Sequence, residues 1–219
     1  IRPMALRVDG TFVRNSSPSR DEAGHEASAY LQGRLPLGRR WTADTGLRFS
    51  LFHSHGRNFF LPAPRLTLTY APSSRQQFAL HYGLYGQYLH QIPVSNGGLP
   101  VDYWTASSAT MRPGRAHSLA LSHHLGLFQG RWEVSTEIYY KHLDHQHEHY
   151  GSILDILNGP FALENAVICG KGRNYGLNVM LKKNQGRLTG WIGYALAWSE
   201  QRFPELDRDE WLSSSYDRR

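Results

Sequence analysis

The sequence predicts an all-β protein: an antiparallel meander of about nine transmembrane strands of the outer-membrane β-barrel kind. Three observations predict it. Apolar and polar residues alternate with period 2 through most of the chain, as in strands with two different faces. Tight turns alternate with long polar connections, as in a barrel with short turns at one membrane surface and long loops at the other. Charges keep to one parity while Leu and aromatic residues keep to the other, with aromatics at the strand ends like the girdles of a membrane barrel.

The elements follow in chain order. Leu6, Val8, Gly10 and Phe12 alternate with Arg7, Asp9 and Thr11, and Ala27, Ala29, Leu31 and Gly33 with Ser28, Tyr30, Gln32 and Arg34. Leu47, Phe49 and Leu51 face away from Arg48 and Ser50. Leu66, Leu68 and Tyr70 oppose Arg65, Thr67 and Thr69; Phe78, Leu80, Tyr82 and Leu84 oppose Gln77, Ala79, His81 and Gly83. The second half continues with Leu119, Leu121, Leu125 and Leu127, then Trp132 to Tyr140, then Tyr175 to Leu181, then the strand of Ile192, Tyr194, Leu196 and Trp198. Each is read as a strand of roughly 8–12 residues, within the range of a membrane strand. "PLGRR", "APSSR", "FQGR" and "KNQGR" read as tight turns. Residues 15–26, 53–64, 89–115 and 142–173 read as long loops. His123 and His124 are adjacent in mid-strand, so one of them must face lipid; proximity to an interface or a bulge would accommodate it.

Composition narrows the function. The 219 residues carry a formal charge of +6, but Lys and Arg are scattered. No basic run of the kind that tracks a phosphate backbone is present, so nucleic acid is not an expected partner. No apolar run approaches the about 20 residues of a membrane helix. The mean hydropathy of -0.50 is compatible with barrel strands, since only alternate residues need be apolar. The single cysteine, Cys169, precludes an internal disulfide. The opening "IRPMALRVDG" has no charged start followed by an apolar stretch, so the signal peptide of an exported protein is expected to lie outside this sequence. A soluble all-β domain binding a ligand or carbohydrate remains an alternative at this point. No G-x-S-x-G elbow, H-E-x-x-H or P-loop points to an enzyme, although a barrel enzyme stays open too.

Two groups are candidate sites. Asp102, Tyr103 and Trp104 fall in a long loop, where exposed aromatics often bind ligands, and are expected to touch substrate. His142, His145, His147 and His149 follow the Trp132 strand, with Asp144 and Glu148 among them. His145, His147 and His149 point the same way on an extended backbone and are the candidate metal ligands; a solvated His-rich loop is the plainer reading. No cofactor is expected.

Three stretches carry a family resemblance. "YGLYGQYLHQIPVSNGGLPVDYWTASSATMRPGRAHSLALS" has a strand, a loop with Leu99, Pro100, Asp102, Tyr103 and Trp104, and a following strand announced by Pro113. "STEIYYKHLDHQHEHYG" has a paired-tyrosine strand and the segment after it; "GKGRNYGLNVMLKKNQGRLTGWIGYALAWSEQRF" is a hairpin, and "YDRR" resembles the start of a further strand. Together these resemble TonB-dependent outer-membrane receptors, in particular the type common in Bacteroidetes, most densely from Tyr82 to Phe203. The resemblance implies a barrel of about 22 strands, of which residues 1–219 supply an internal part. The signal peptide, plug domain and final strands are expected to lie elsewhere. It further implies TonB-dependent uptake of a nutrient or metal chelate across the outer membrane, with outer-membrane lipid, the transported solute and the TonB system as partners.

Overall fold

The computed structural model describes residues 4–6, 12–14, 23–94, 101–150, 167–206, 210–214 and 217. In chain order the strands are β1 (Met4–Leu6), β2 (Phe12–Arg14), β3 (Gly24–Pro36), β4 (Trp41–Ser54), β5 (Arg57–Ser73), β6 (Gln76–Gln87), β7 (Leu89–Val94), β8 (Val101–Ala106), β9 (Gly114–Leu127), β10 (Trp132–His149), β11 (Val167–Lys183), β12 (Gly190–Arg202) and β13 (Leu212–Ser213). One open nine-stranded sheet runs β13-β12-β11-β10-β9-β6-β5-β4-β3, and all its neighbours are antiparallel. The predicted meander is therefore the observed topology. β7 and β8 form a separate hairpin inserted between β6 and β9.

The sheet differs from the sequence expectation in three respects. The strand expected around Leu6–Phe12 is absent from it; β1 and β2 pair with each other instead, and Arg7 and Asp9 lie outside the described residues. The long strands run from 12 residues in β6, the upper end of the expected 8–12, to 18 in β10; the longer ones exceed the expectation because the ladder continues past the amphipathic stretch. The loop expected over 53–64 is a two-residue turn, His55–Gly56, with both φ positive (50° and 69°). Such a turn matches strand twist, but it usually carries Asn or Asp before the Gly, so His-Gly gave no signal.

The register sorts the side chains onto two faces. Asp44, Arg48, Thr67, His81, Ser122, Glu137 and Asn178 share the polar face. There Arg34 pairs with Asp44 at 2.5 Å, and Arg48 reaches Glu26 and Ser28. His81 bridges Thr67 and Ser122 at 3.1 and 3.0 Å. Leu121, Ile138, Ile192 and Tyr194 share the other face and are more than half exposed. An apolar face this extensive calls for a covering medium.

Aromatic rings bracket that face. Trp41 lies on Tyr70 at 4.6 Å, and Lys183 sits over Trp132, both beside the tight turns. At the other end Tyr140, Tyr175 and Trp198 stack in a row, 6.4 and 5.3 Å apart. From Trp132 to Tyr140 is nine residues, the length of a strand crossing a bilayer core. Beyond Tyr140 the same parity carries His142 and Asp144, 3.3 Å apart, and Arg173 paired with Glu200 at 2.5 Å. His123 falls on the apolar face, stacked on Phe78 and next to Gln76, the first residue of β6 after its turn. No bulge shifts the register there; proximity to the turn end accommodates it.

Candidate functional site at the rim

Beyond the aromatic row, the segment between β6 and β9 folds onto the upper ends of β4, β5 and β10. Tyr88 anchors it. Its ring stacks on Phe52 at 4.7 Å and its hydroxyl lies 2.6 Å from Ser50 Oγ, so a buried phenol has both an apolar wall and a polar partner. With Leu61 and Ala106 these form the main buried cluster. Ser107 is buried and saturated. Its N–H and its hydroxyl both donate to the Tyr88 carbonyl, and its own carbonyl accepts from the Ser54 hydroxyl. Because that hydroxyl proton is committed, Ser107 Oγ accepts from His90 Nε2–H at 3.0 Å, which fixes the His90 tautomer. Met111, fully buried, closes the turn by exchanging hydrogen bonds with Ser108.

β10 holds this segment from the other side. His145 Nδ1–H donates to the Pro113 carbonyl and His147 Nε2–H to the Arg112 carbonyl, each at 2.9 Å. The His147 ring meets the His90 ring edge-on at 4.7 Å. Burial, then His147, then His145, push the His90 pKa down to about 4. Burial also lowers that of His147, partly opposed by its bond to Arg112.

The histidine segment is thus strand where a loop was expected, continuing to His149 in register with β11. A bulge at His145 (φ 57°) interrupts the alternation between Asp144 and Gln146, so the three histidines do not follow the uninterrupted alternation that the sequence reading assumed. Among the described residues no group of three His, Cys, Asp or Glu side chains comes together as a metal site. Trp104, in β8 opposite Gln91, is 63% exposed. Asp102 and Tyr103 pair through their backbones with Pro93 and Ile92; their side chains lie outside what the structure describes.

A feature that the sequence reading missed is a notch beside this segment. The β4–β5 ladder continues to Ser54↔Arg57, whereas β5 pairs with β6 only as far as Arg65↔Gly83. Pro62 and Pro64 fall in the stretch without β6; having no N–H, they are suited to an edge. A cavity of about 330 Å³ fills the notch, with Arg57, Arg112, Arg115, Phe59, Phe60 and Tyr88 in its wall. The two prolines were the available signal, but they had been absorbed into an expected loop.

With the faces, girdles and rim in place, comparison with known proteins decides the class. The family model described as TonB dependent receptor-like, beta-barrel, matches residues 4–217.

The chain belongs to this family.

Its polar face is accordingly the lumenal face of an outer-membrane barrel, and its apolar face meets lipid. Solved TonB-dependent receptor structures share the fold. The FrpB iron transporter from Neisseria meningitidis (F3-3 variant) superposes with a TM-score of 0.61 at 12% identity, over 89% of this chain and 29% of that one. The alcaligin outer membrane receptor FauA from Bordetella pertussis gives 0.55 at 15% identity, over 81% and 30%. The ferripyoverdine receptor of Pseudomonas aeruginosa, bound to ferripyoverdine, gives 0.58 at 11% identity, over 94% and 26%. The chain therefore spans less than a third of each of these receptors. No curated protein matches it.

Proposed function

We propose that this chain forms part of the barrel of an outer-membrane receptor of the Bacteroidetes type, one that takes up a nutrient or metal chelate and draws its energy from the TonB system through a plug domain outside this sequence. The observation that carries the reading is the family match across 4–217 on a sheet with one polar and one apolar face. The similar structures include an iron transporter and a receptor bound to ferripyoverdine, which supports a metal chelate as cargo. The receptor binds and passes its solute without chemical change. In this reading Asp102, Tyr103 and Trp104 meet arriving substrate at the rim. Any metal arrives inside the substrate: His145 and His147 spend one N–H each on the carbonyls of Pro113 and Arg112 and act as framework, and His149 continues the β10 ladder opposite Val167. The test is uptake by cells carrying the full-length receptor. Accumulation of a labelled ferric chelate should require both the receptor and TonB, and uptake that persists without TonB would reject the reading.

A further inference from the structure

We infer that the tight-turn end of the sheet is a cationic belt that selects anionic phospholipid headgroups in the periplasmic leaflet of the membrane. The four tight turns are residues 37–40, 74–75, 128–131 and 184–189, which join β3 to β4, β5 to β6, β9 to β10 and β11 to β12. Each carries an exposed arginine: Arg40, Arg75 and Arg131 immediately precede β4, β6 and β10, and Arg187 stands three residues before β12. No Asp or Glu occurs in any of these turns. The acids nearest Arg40 and Arg131 in sequence, Asp44 and Glu133, are on the lumenal face, and Asp44 is bound to Arg34. The loop end differs. There Asp144, Glu148 and Glu200 mix with Arg115, Lys141 and Lys171 along the same strands.

Position ties this charge to lipid. Trp41, Tyr70 and Trp132 face lipid at the turn ends of their strands, and amphipathic rings so placed mark the headgroup level. Lys183 is on the same face, opposite Trp132 in the register, with its ammonium 5.5 Å from the centre of that ring. On β6 and β9 the same end carries Gln76 and His123, 3.2 Å apart. The lipid-facing rows therefore turn polar and cationic where the turns begin. A long Arg or Lys side chain lays its stem along apolar surface and keeps its charge among headgroups, and the guanidinium fork matches phosphate oxygens. The turns occupy every second gap in the sheet order, so they recur about every 10 Å along this edge. A zwitterionic headgroup answers its phosphate with its own ammonium, whereas turns without a single acid favour a headgroup of net negative charge. Short turns of an outer-membrane barrel lie at the periplasmic surface, which sets the leaflet. The inference goes beyond the transport reading and needs only the barrel's place in the membrane, not its cargo.

The test is site-specific photocrosslinking in the full-length receptor, with benzoylphenylalanine in place of Gln185, an exposed turn residue between Lys183 and Arg187. The receptor is reconstituted in symmetric vesicles of phosphatidylglycerol and phosphatidylcholine in equal amounts, and the captured lipid is identified by mass spectrometry. Phosphatidylglycerol should be captured about fivefold or more over phosphatidylcholine, the preference shrinking as salt rises from about 0.05 to about 0.5 M. Lys183→Gln with Arg187→Gln should bring the ratio to about one. Lys141→Gln with Lys171→Gln removes the same charge at the loop end and should leave it unchanged. A second probe in place of Ser74 should show the same preference and lose it in Arg75→Gln. If the Lys183/Arg187 variant does not assemble, the Ser74 probe and the salt dependence of the wild type decide. Equal capture of the two lipids, a preference that survives loss of the turn cations, or one that falls equally with the loop-end pair would overturn the inference. So would capture, by the Gln185 probe in intact cells, of a periplasmic protein or cell-wall glycan in place of phospholipid. None of these measurements needs TonB or a substrate, so the transport reading can fail in the uptake experiment while the lipid belt stands, and the reverse.

Discussion

β10 contains two different regions in one unbroken strand. From Trp132 to Tyr140 its partners on both sides follow without a slip, and alternate side chains divide between lumen and lipid. From Lys141 to His149 every side chain but Leu143 is polar, a bulge enters at His145, and side chains bond to backbone carbonyls of a neighbouring segment. The hydrogen-bond ladder is common to both. Pairing with β9 and β11 keeps the chain extended, while amphipathicity reports only which medium lies beside it. Lipid enforces the strict pattern below; above, water tolerates either parity and leaves room for a site.

The contrast is most sharply tested by placing a charge in each region. Val179 faces lipid at the middle of the Tyr175–Lys183 stretch of β11, while Asn178 beside it faces the lumen and meets Glu137. Val179→Arg should cost about 2–4 kcal/mol of folding free energy and Asn178→Arg little. Ile138→Arg, two residues from the Tyr140 girdle, should fall between them, and Glu137→Arg should be tolerated. Denaturant titration of the full receptor in lipid vesicles measures all four, and equal costs on the two faces would refute the assignment. Gly176 probes packing within the band. A Cβ there would run into the Leu196 carbonyl oxygen and the Tyr139 hydroxyl. Since a backbone carbonyl cannot swing aside, Gly176→Ala should cost about 1–3 kcal/mol, whereas Gly33→Ala, which meets nothing, should be nearly neutral in the same titration.

These cases show where the sequence was legible. Inside the lipid band, period 2 and the aromatic ends identified faces, order and strand direction, because one physical demand governs every residue. Outside it the demand lapses. His142–His149 looked like a loop because its polarity fits water equally well as strand, and Pro62 and Pro64 looked like loop because prolines disfavour ladders, although β5 needs a partner on one side only. The contacts that build the rim, Tyr88 with Ser50 and His90 with Ser107, join residues 38 and 17 positions apart with no local spacing to announce them.

Acid should distinguish the two regions more gently. His90 titrates at about 4 when folded, well below its ordinary 6.5. The unfolded segment therefore takes up a proton that the folded one resists, so the docking of β7–β8 is fully stable above about pH 6.5 and weakens as pH falls toward 4. His147, also lowered, acts in the same direction. Amide exchange in Leu89–Val94 should accelerate between pH 7 and 5 after correction for intrinsic rates, while Val134–Ile138 stays protected. His90→Gln should flatten that dependence; an unchanged slope would assign it elsewhere.

The smallest effect on stability is expected at Trp104. At 63% exposure on the β7–β8 hairpin, it contributes little to packing, so Trp104→Ala should change the unfolding free energy of the receptor by no more than about 0.5 kcal/mol. Trp41, by contrast, is fixed against Tyr70 at the girdle, and Trp41→Ala should cost more, about 0.5–1.5 kcal/mol from the ring contact alone. Binding should invert that order. A large exposed indole at the rim offers a substrate contact area with little rotamer entropy to lose, so Trp104→Ala should weaken ferric-chelate binding several-fold, while Trp41→Ala, at the opposite end of the sheet, should leave it unchanged once the barrel has assembled. Titration calorimetry on the two folded variants decides: if Trp104→Ala binds like wild type, this tryptophan has no part in meeting the substrate.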